Sequence, residues 1–166
     1  NLALKRLITK KKSKSNSGVI VVTVLTSGTP EYTDDDGNKV VGKFSCRHNC
    51  AYCPNEKAHE GNNWIDQPRS YLYSEPAVLR ANENKFDPIL QFNSRIEALI
   101  NMGHVVDKLE IIVLGGTWSN YHKNYKDFFI TATYYAANTY YEQREMLSLE
   151  EEIAIKEILE PETIQV

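Results

Sequence analysis

Three cysteines lie within eight residues and are the side chains in this sequence best suited to chemistry. Cys46, Cys50 and Cys53 follow the spacing C-x3-C-x2-C, and they are the only cysteines among the 166 residues. An odd and tightly spaced set cannot be fully paired in disulfides, whereas three thiolates on one loop can converge on a single centre. The window therefore predicts a metal site.

Two kinds of metal site fit three thiolates. An iron–sulfur cluster tolerates three protein thiolates when a substrate or cofactor takes the fourth position, and the open iron can then bind and activate a ligand. A structural zinc ion needs four closed ligands, so His48 or His59 would have to supply the fourth. A third interpretation, inert core thiols, is disfavoured because Arg47, His48 and Asn49 are poor core residues. The cluster is the favoured interpretation.

Two further features are suited to hold a ligand beside the cysteines. Tyr52, directly before Cys53, could pack against an adenine-sized ring, or it is an ordinary loop tyrosine. Gly115 and Gly116 follow an apolar segment, and without Cβ atoms they let backbone groups approach a ligand closely. Because such a dipeptide more often forms a plain tight turn, it indicates a ligand cradle only if the cysteine loop lies next to it.

The elements that must position these residues alternate between strands and helices. Strands are predicted at 18–25 and 108–114, and both are apolar enough to be buried on two faces. Helices are predicted at 75–85, from Asp87-Pro88 to Gly103, at 124–137, and from the Ser148 capping box to about residue 159. A polar stretch with a turn at 34–38 and a long loop at 54–73 lie between them.

This order is typical of a parallel α/β sheet or of part of a barrel. In both architectures, ligands bind at the carboxyl ends of the strands. The cysteine loop and Gly115-Gly116-Thr117 each lie beyond the carboxyl end of a predicted strand. We therefore expect the two segments to lie on the same edge of the sheet.

The formal net charge of -3 is unevenly distributed. The first 14 residues contain no acid and could contact nucleic-acid phosphates or form a solvated terminus; the basic residues are Lys5, Arg6, Lys10, Lys11, Lys12 and Lys14. Eight glutamates from Glu142 onward are typical of the outer face of a helix. No run approaches the ~20 apolar residues of a membrane span, and no secretory signal is recognisable. These features favour a cytoplasmic protein.

The chemistry-bearing residues resemble the radical S-adenosylmethionine superfamily. Cys46-x3-Cys50-x-Tyr52-Cys53 is similar to its signature, and Gly115-Gly116-Thr117 resembles the family's turn that contacts the methionine amino group of the cofactor. A closer resemblance, over almost the whole chain, is to the radical domain of the catalytic subunit of Elongator and its single-chain relatives. It is carried by segments that include Ser17-Gly18-Val19, Ser70-Tyr71, Phe86-Asp87-Pro88, Met102-Gly103-His104 and Asp127-Phe128-Phe129.

The resemblance implies an α/β fold, namely a partial TIM-like (β/α)6 radical S-adenosylmethionine barrel truncated after the second strand–helix unit. Residues 1–17 would be a basic arm and 18–166 the N-terminal part of the radical domain. The acetyltransferase domain would be absent, and the fragment alone is expected to be inactive. Cys46, Cys50 and Cys53 would hold a 4Fe-4S cluster. The residues that would bind S-adenosylmethionine are Tyr52, Gly115, Gly116 and Thr117.

The implied activity is that of a transferase that modifies C5 of the wobble uridine, position 34, in tRNA. The cluster would cleave S-adenosylmethionine to a 5′-deoxyadenosyl radical, which would abstract hydrogen from acetyl-CoA bound outside this chain and so lead to carboxymethylation of the base. The implied partner is tRNA, contacted by the basic arm, together with Elongator-like subunits or a second copy of the chain.

Two alternatives stay open. One is a non-catalytic nucleic-acid-binding or assembly fragment whose metal only staples the loop. The other is a radical enzyme that acts on another substrate. The chain also departs from the family at Pro54-Asn55-Glu56, where Pro-Gly-Gly is usual, and Cys46 lies closer to Cys50 than the first cysteine usually does.

Overall fold

The computed structural model describes residues 4, 18–43, 46, 48, 50–142 and 144–159, which form an α/β architecture. The strands are β1 (Val19–Leu25), β2 (Glu31–Thr33), β3 (Lys39–Val41) and β4 (Lys108–Leu114). The helices are α1 (Pro76–Glu83), α2 (Pro88–Asn101), α3 (Lys123–Thr139) and α4 (Leu149–Leu159), and single 3-10 turns lie at Glu60–Asn62 and Trp118–Asn120. Both predicted strands and all four predicted helices are confirmed.

The two long strands pair in parallel, with Val19 opposite Lys108 and Leu25 opposite Leu114. The segment between them contains α1 and α2, as a parallel connection requires. β2 and β3 form an antiparallel hairpin across the predicted turn, in which the Asp34 carboxylate accepts hydrogen bonds from the backbone of Asp36 and Asn38. Sequence analysis predicted this turn but not the hairpin, because strands of three residues are too short to show a period.

The main core lies on one face of the parallel sheet. Val22 and Val24 are fully buried there against Phe92 and Ile96 of α2 and Phe129 of α3. Each such side chain stabilises the fold by roughly 1.5–3 kcal/mol.

The prediction that both strands are buried on two faces is wrong. On the opposite face, Val21 is 42% exposed and Ile112 is 38% exposed. The reason is that the described parts of α2 and α3 pack on the face that carries Val22 and Val24. An apolar run alone does not reveal whether one face or two will be covered.

The outer edge of β1 is closed by side chains instead of a neighbouring strand. Gln91 of α2 is fully buried, accepts a hydrogen bond from the Leu25 amide at 2.9 Å and donates one to the Leu25 carbonyl at 3.0 Å. Arg80 of α1 donates to the Thr23 carbonyl at 3.0 Å. Because buried backbone groups need partners, these two side chains allow β1 to end the sheet.

A buried ion pair attaches α4 to α3. Arg144 donates two hydrogen bonds of 2.7 Å to the fully buried Glu152 carboxylate, and Asn138 of α3 donates another at 2.9 Å. Hydrogen bonding to Arg144, which outweighs the cost of burial, lowers the pKa of Glu152 to about 2. The predicted capping box at the start of α4 is confirmed, since Ser148 and Glu151 exchange hydrogen bonds.

Two sequence predictions, the basic arm and the barrel, are not tested by the residues that the structure describes. The candidate tRNA-contacting side chains Lys5, Arg6, Lys10, Lys11, Lys12 and Lys14 lie outside the described residues. The described strands form two sheets of two strands each, so the barrel stays a prediction. Within the described ranges, no helix combines the length and the apolar composition needed to cross a bilayer.

Replacing Gln91 with leucine tests the closure of the β1 edge. Gln91→Leu keeps the approximate side-chain volume but leaves the Leu25 amide and carbonyl buried without these partners. We expect a loss of about 3 kcal/mol in the free energy of unfolding, measured by urea denaturation. Asn101→Leu, at the exposed end of the same helix, should change stability by less than about 0.5 kcal/mol. Equal effects of the two substitutions would contradict this role of Gln91.

Candidate functional site

The carboxyl ends of β1 and β4 approach each other closely at Thr26 and Gly115. The Thr26 amide donates to the Leu114 carbonyl at 2.9 Å, which extends the parallel ladder by one residue. Gly115 has a φ of +138°, and a Cβ added there would lie 1.8 Å from the Thr26 hydroxyl oxygen. Only glycine fits this turn without displacing Thr26.

Two tyrosines hold the end of β1 in this position. The Thr26 hydroxyl donates to the Tyr121 hydroxyl at 2.8 Å, and Tyr121 in turn donates to the Ser27 carbonyl at 3.0 Å. The Ser27 amide donates to the Tyr125 hydroxyl at 2.9 Å. Burial raises the pKa of Tyr121 to about 12 and raises that of Tyr125 as well, so both phenols keep their protons near neutral pH.

The cysteine loop lies beside the glycine turn. The Cys46 sulfur is 3.6 Å from the hydroxyl oxygen of Thr117, the residue that follows Gly115-Gly116. The prediction that the two segments share one edge of the sheet is confirmed by this contact. Parallel strands end at the same edge, which is why residues 71 positions apart in sequence meet here.

The other two cysteines occupy the same loop. The Cys53 amide donates to the Cys50 carbonyl at 3.1 Å, which closes a tight turn. The Cys53 sulfur lies 3.0 Å from the Ser70 hydroxyl oxygen. None of the three cysteines is in a disulfide, and all are partly buried.

This donor set fits an iron–sulfur cluster, because three thiols outside disulfides on one loop are the ligands that such a cluster takes. The described residues contain no group of three or more His, Cys, Asp or Glu side chains already gathered at metal-binding distances. The cysteine ligands therefore stay a prediction that rests on their type, their loop and the neighbouring turn.

Tyr52 lies at the surface with 89% of its side chain exposed. Its pKa is raised, chiefly by a side-chain hydrogen bond with Cys50 and also by the charge of that group. The structure thus places Tyr52 beside the cysteines with its ring open to solvent, where the predicted contact with an adenine ring stays untested.

The loop that follows the cysteines is held by an internal hydrogen-bond network. Glu56 is central, because its carboxylate accepts from the Tyr73 amide at 2.7 Å and contacts the His59 ring nitrogen at 2.7 Å. Gln67 and Asn82 of α1 exchange two buried side-chain hydrogen bonds, of 2.9 and 2.8 Å. These contacts fix a segment that sequence analysis predicted only as a long loop.

A cleft of about 450 Å³ opens at the glycine turn and is large enough for a small-molecule ligand. The residues that line it include Thr26, Tyr71, Gly115, Gly116 and Trp118. The Tyr71 hydroxyl oxygen accepts a hydrogen bond from the Gly115 amide at 3.3 Å. The predicted ligand-cradle residues Gly115 and Gly116 therefore do line a cleft.

Sequence analysis missed several residues that shape this site. Tyr121 and Tyr125 are four residues apart, and this spacing beside the end of a strand was the available signal. Ser70 and Tyr71 were noted only as part of a resemblance. No pattern indicated the role of Thr26, because its contact with Gly115 depends on the pairing of two distant strands.

Comparison with curated proteins finds similar sequences with two names. A tRNA uridine(34) acetyltransferase of Methanocaldococcus infernus is 36% identical over 152 residues, which cover 91% of this chain. The tRNA uridine(34) acetyltransferase of Methanocaldococcus jannaschii is 38% identical over 125 residues, or 75% of this chain. Human Elongator complex protein 3 is 41% identical over 81 residues, or 49% of this chain. No protein-family model matches the sequence.

The chain belongs to the family of Elongator complex protein 3 and the tRNA uridine(34) acetyltransferases. It spans about a quarter or less of these relatives, with 24%, 20% and 14% of their lengths covered in the order given. Within this Elongator family, the similarity to the first relative covers 91% of the chain and so includes strands, cysteine loop and glycine turn together.

Two glycine substitutions test whether the Thr26–Gly115 contact constrains the turn. Gly115→Ala places a Cβ into Thr26, and we expect a loss of more than about 2 kcal/mol in the free energy of unfolding. Gly37→Ala is the control, because Gly37 also has a positive φ, of +84°, but a Cβ there would meet nothing within 4 Å. Its cost should be about 1 kcal/mol. Similar losses in urea denaturation would show that Thr26 yields to the new methyl group.

Proposed function

We propose that this chain provides the cluster-binding and S-adenosylmethionine-binding part of a radical enzyme that modifies the wobble uridine, position 34, of tRNA. The observation that carries the proposal is the 3.6 Å contact between the Cys46 sulfur and the Thr117 hydroxyl. It places a three-cysteine loop beside a glycine turn that borders a cleft. A metal bound at the loop and a ligand bound in the cleft would therefore be neighbours.

Each residue type in the site suits this role. Cys46, Cys50 and Cys53 would hold a 4Fe-4S cluster through their thiolates, with one iron left for a cofactor. When bound, such a cluster supplies the single electron that cleaves S-adenosylmethionine reductively. Gly115 and Gly116 would let the backbone approach the amino-acid end of that cofactor, as in the resemblance described above.

The protein's own contribution is to orient the turn. Tyr121 and Tyr125 hold the Thr26 side chain and the Ser27 backbone, and Thr26 in turn sets the position of Gly115. Because both phenols stay protonated, this network keeps its donors and acceptors across the physiological pH range. A turn fixed in this way loses less conformational entropy when a ligand binds.

The substrate assignment comes from the relatives. Two of them are named tRNA uridine(34) acetyltransferase, which supports a tRNA uridine as the substrate and an acetyl donor. We propose that this donor is acetyl-CoA, bound outside this chain. We propose that the product is carboxymethylated at C5. The basic residues between Lys5 and Lys14 would contact the tRNA phosphates, and Elongator-like subunits or a second copy are the proposed protein partners.

Reconstitution with iron and sulfide under anaerobic conditions tests the cluster. We expect a brown protein with the absorbance of a 4Fe-4S cluster, and S-adenosylmethionine should change the electron paramagnetic resonance spectrum of the reduced cluster. Cys46→Ala, Cys50→Ala and Cys53→Ala should each abolish the signal. His48→Ala should leave it intact, because three cysteines and the cofactor fill the four positions.

Two results would contradict the cluster proposal. One is a colourless protein that retains zinc. The other is a cluster whose spectrum does not respond to S-adenosylmethionine. A purely structural metal site has all its coordination positions filled by the protein and would not respond to the cofactor.

Charge reversal in the basic arm tests the contact with tRNA. The triple change of Lys10, Lys11 and Lys12 to glutamate should weaken tRNA binding and reduce the slope of log affinity against log salt by about 2 to 3. Reversal of the exposed Lys39, Lys85 and Lys108 adds the same charge elsewhere and is the control. If both triple variants bind equally, measured by fluorescence anisotropy at several salt concentrations, the arm does not contact tRNA.

A further inference from the structure

Ser70 stands out because it contacts a predicted cluster ligand from another segment of the chain. Its hydroxyl oxygen lies 3.0 Å from the Cys53 sulfur, although the two residues are 17 positions apart. For comparison, the sulfur of Cys46 lies 3.6 Å from the hydroxyl oxygen of Thr117. The Ser70 contact is short enough for a hydrogen bond to sulfur.

The backbone at Ser70 is held in a conformation that a serine rarely adopts. Its φ is +75°, in the left-handed region that costs a residue with a Cβ about 1 kcal/mol or more. The Ser70 amide donates to the Pro54 carbonyl at 3.1 Å, directly after Cys53. On its other side, Tyr71 accepts a hydrogen bond from the Gly115 amide at 3.3 Å.

These hydrogen bonds connect the Ser70 segment to the cysteine loop and to the glycine turn. The neighbouring Tyr71 contacts the glycine turn and the Ser70 amide contacts the cysteine loop, so the Ser70 backbone is held at both sides. The Ser70 side chain is exposed to solvent, and its hydroxyl lies against the Cys53 sulfur. Strained backbone conformations persist where the surrounding structure determines them. The positive φ at Ser70 is therefore a backbone feature of the segment that brings its hydroxyl to Cys53.

The chemistry fixes the direction of this hydrogen bond once a metal is bound. A cysteine that ligates iron is a thiolate and has no proton to give, so the serine hydroxyl must be the donor. When a low-potential reductant adds one electron to a cluster, negative charge on its sulfur ligands increases. A hydroxyl that donates to one of those sulfurs stabilises the reduced form more than the oxidised form.

We infer that Ser70 is a positioning residue that donates a hydrogen bond to the Cys53 sulfur and so raises the reduction potential of the cluster. This inference rests on the proposed cluster at Cys46, Cys50 and Cys53, and it adds a residue outside the cysteine loop that adjusts how readily that cluster accepts its electron.

The test is a redox titration of the reconstituted protein with dithionite, followed by electron paramagnetic resonance. Ser70→Ala removes the hydroxyl and should shift the potential to a more negative value. Ser70→Gly also removes the hydroxyl but favours a positive φ, so it should cause the same shift without backbone strain. Ser74→Ala, an exposed serine further along the same loop, is the control and should leave the potential unchanged.

A second measurement reports the hydrogen bond itself. In deuterated water, pulsed electron paramagnetic resonance of the reduced cluster should show an exchangeable deuteron coupled to the cluster in the unsubstituted protein. Backbone amides near the cluster also exchange, so the coupling from the Ser70 hydroxyl is the part of the signal that both Ser70 variants lose and Ser74→Ala keeps. A role of Ser70 in loop shape alone would leave the Gly variant with the original potential.

The outcomes separate the two proposals. If the unsubstituted protein assembles the cluster but Ser70→Ala has the same potential and deuteron coupling, the inference about Ser70 is wrong and the proposed function stands. Restoration of the original potential by Ser70→Gly would likewise overturn it. If the unsubstituted protein assembles no 4Fe-4S cluster, the proposed function fails and the inference fails with it.

Discussion

Thr26 and Gly115 lie side by side where the two parallel strands end, closer than any residue with a Cβ at position 115 would allow. The strand ladder brings them together, and the tyrosine network below Thr26 keeps them there. The cleft borders this contact, the cysteine loop reaches it through Thr117, and the following loop reaches it through Tyr71. One close backbone approach thus sets the geometry of the whole edge.

The sheet that supports this edge has side chains bonded to the backbone along the free edge of β1. Gln91 satisfies the Leu25 amide and carbonyl, and Arg80 satisfies the Thr23 carbonyl, at the edge of β1 that faces away from β4. In the described part of the chain, β4 has β1 as its strand partner. A second, largely apolar cleft of about 510 Å³ is lined in part by residues of β4. The main core covers one face, while on the other face Val21 and Ile112 are exposed and only the carboxyl end, at Leu25, is buried against α1.

The segment Pro54-Asn55-Glu56, which follows the last cysteine, is held by specific hydrogen bonds. The Pro54 carbonyl accepts from Ser70, and Glu56 anchors the loop through the Tyr73 amide and the His59 ring. The Glu56 carboxylate thus has two partners within this loop. The predicted long loop is therefore an ordered segment whose stability comes from side-chain to backbone hydrogen bonds, which leave no periodic pattern in a sequence.

The sequence by itself determined the two long strands, the four helices and the cysteine window, because apolar periodicity and caps such as Asp87 and Ser148 act over a few residues. It also indicated the shared edge of the sheet, since parallel strands end together. Only the tertiary structure decided which strand face is covered and that Gln91 closes β1. It likewise decided that Ser70 meets Cys53 and that Thr26 meets Gly115. These contacts join segments 17 to 89 residues apart, so their distances are set by packing and not by local preference.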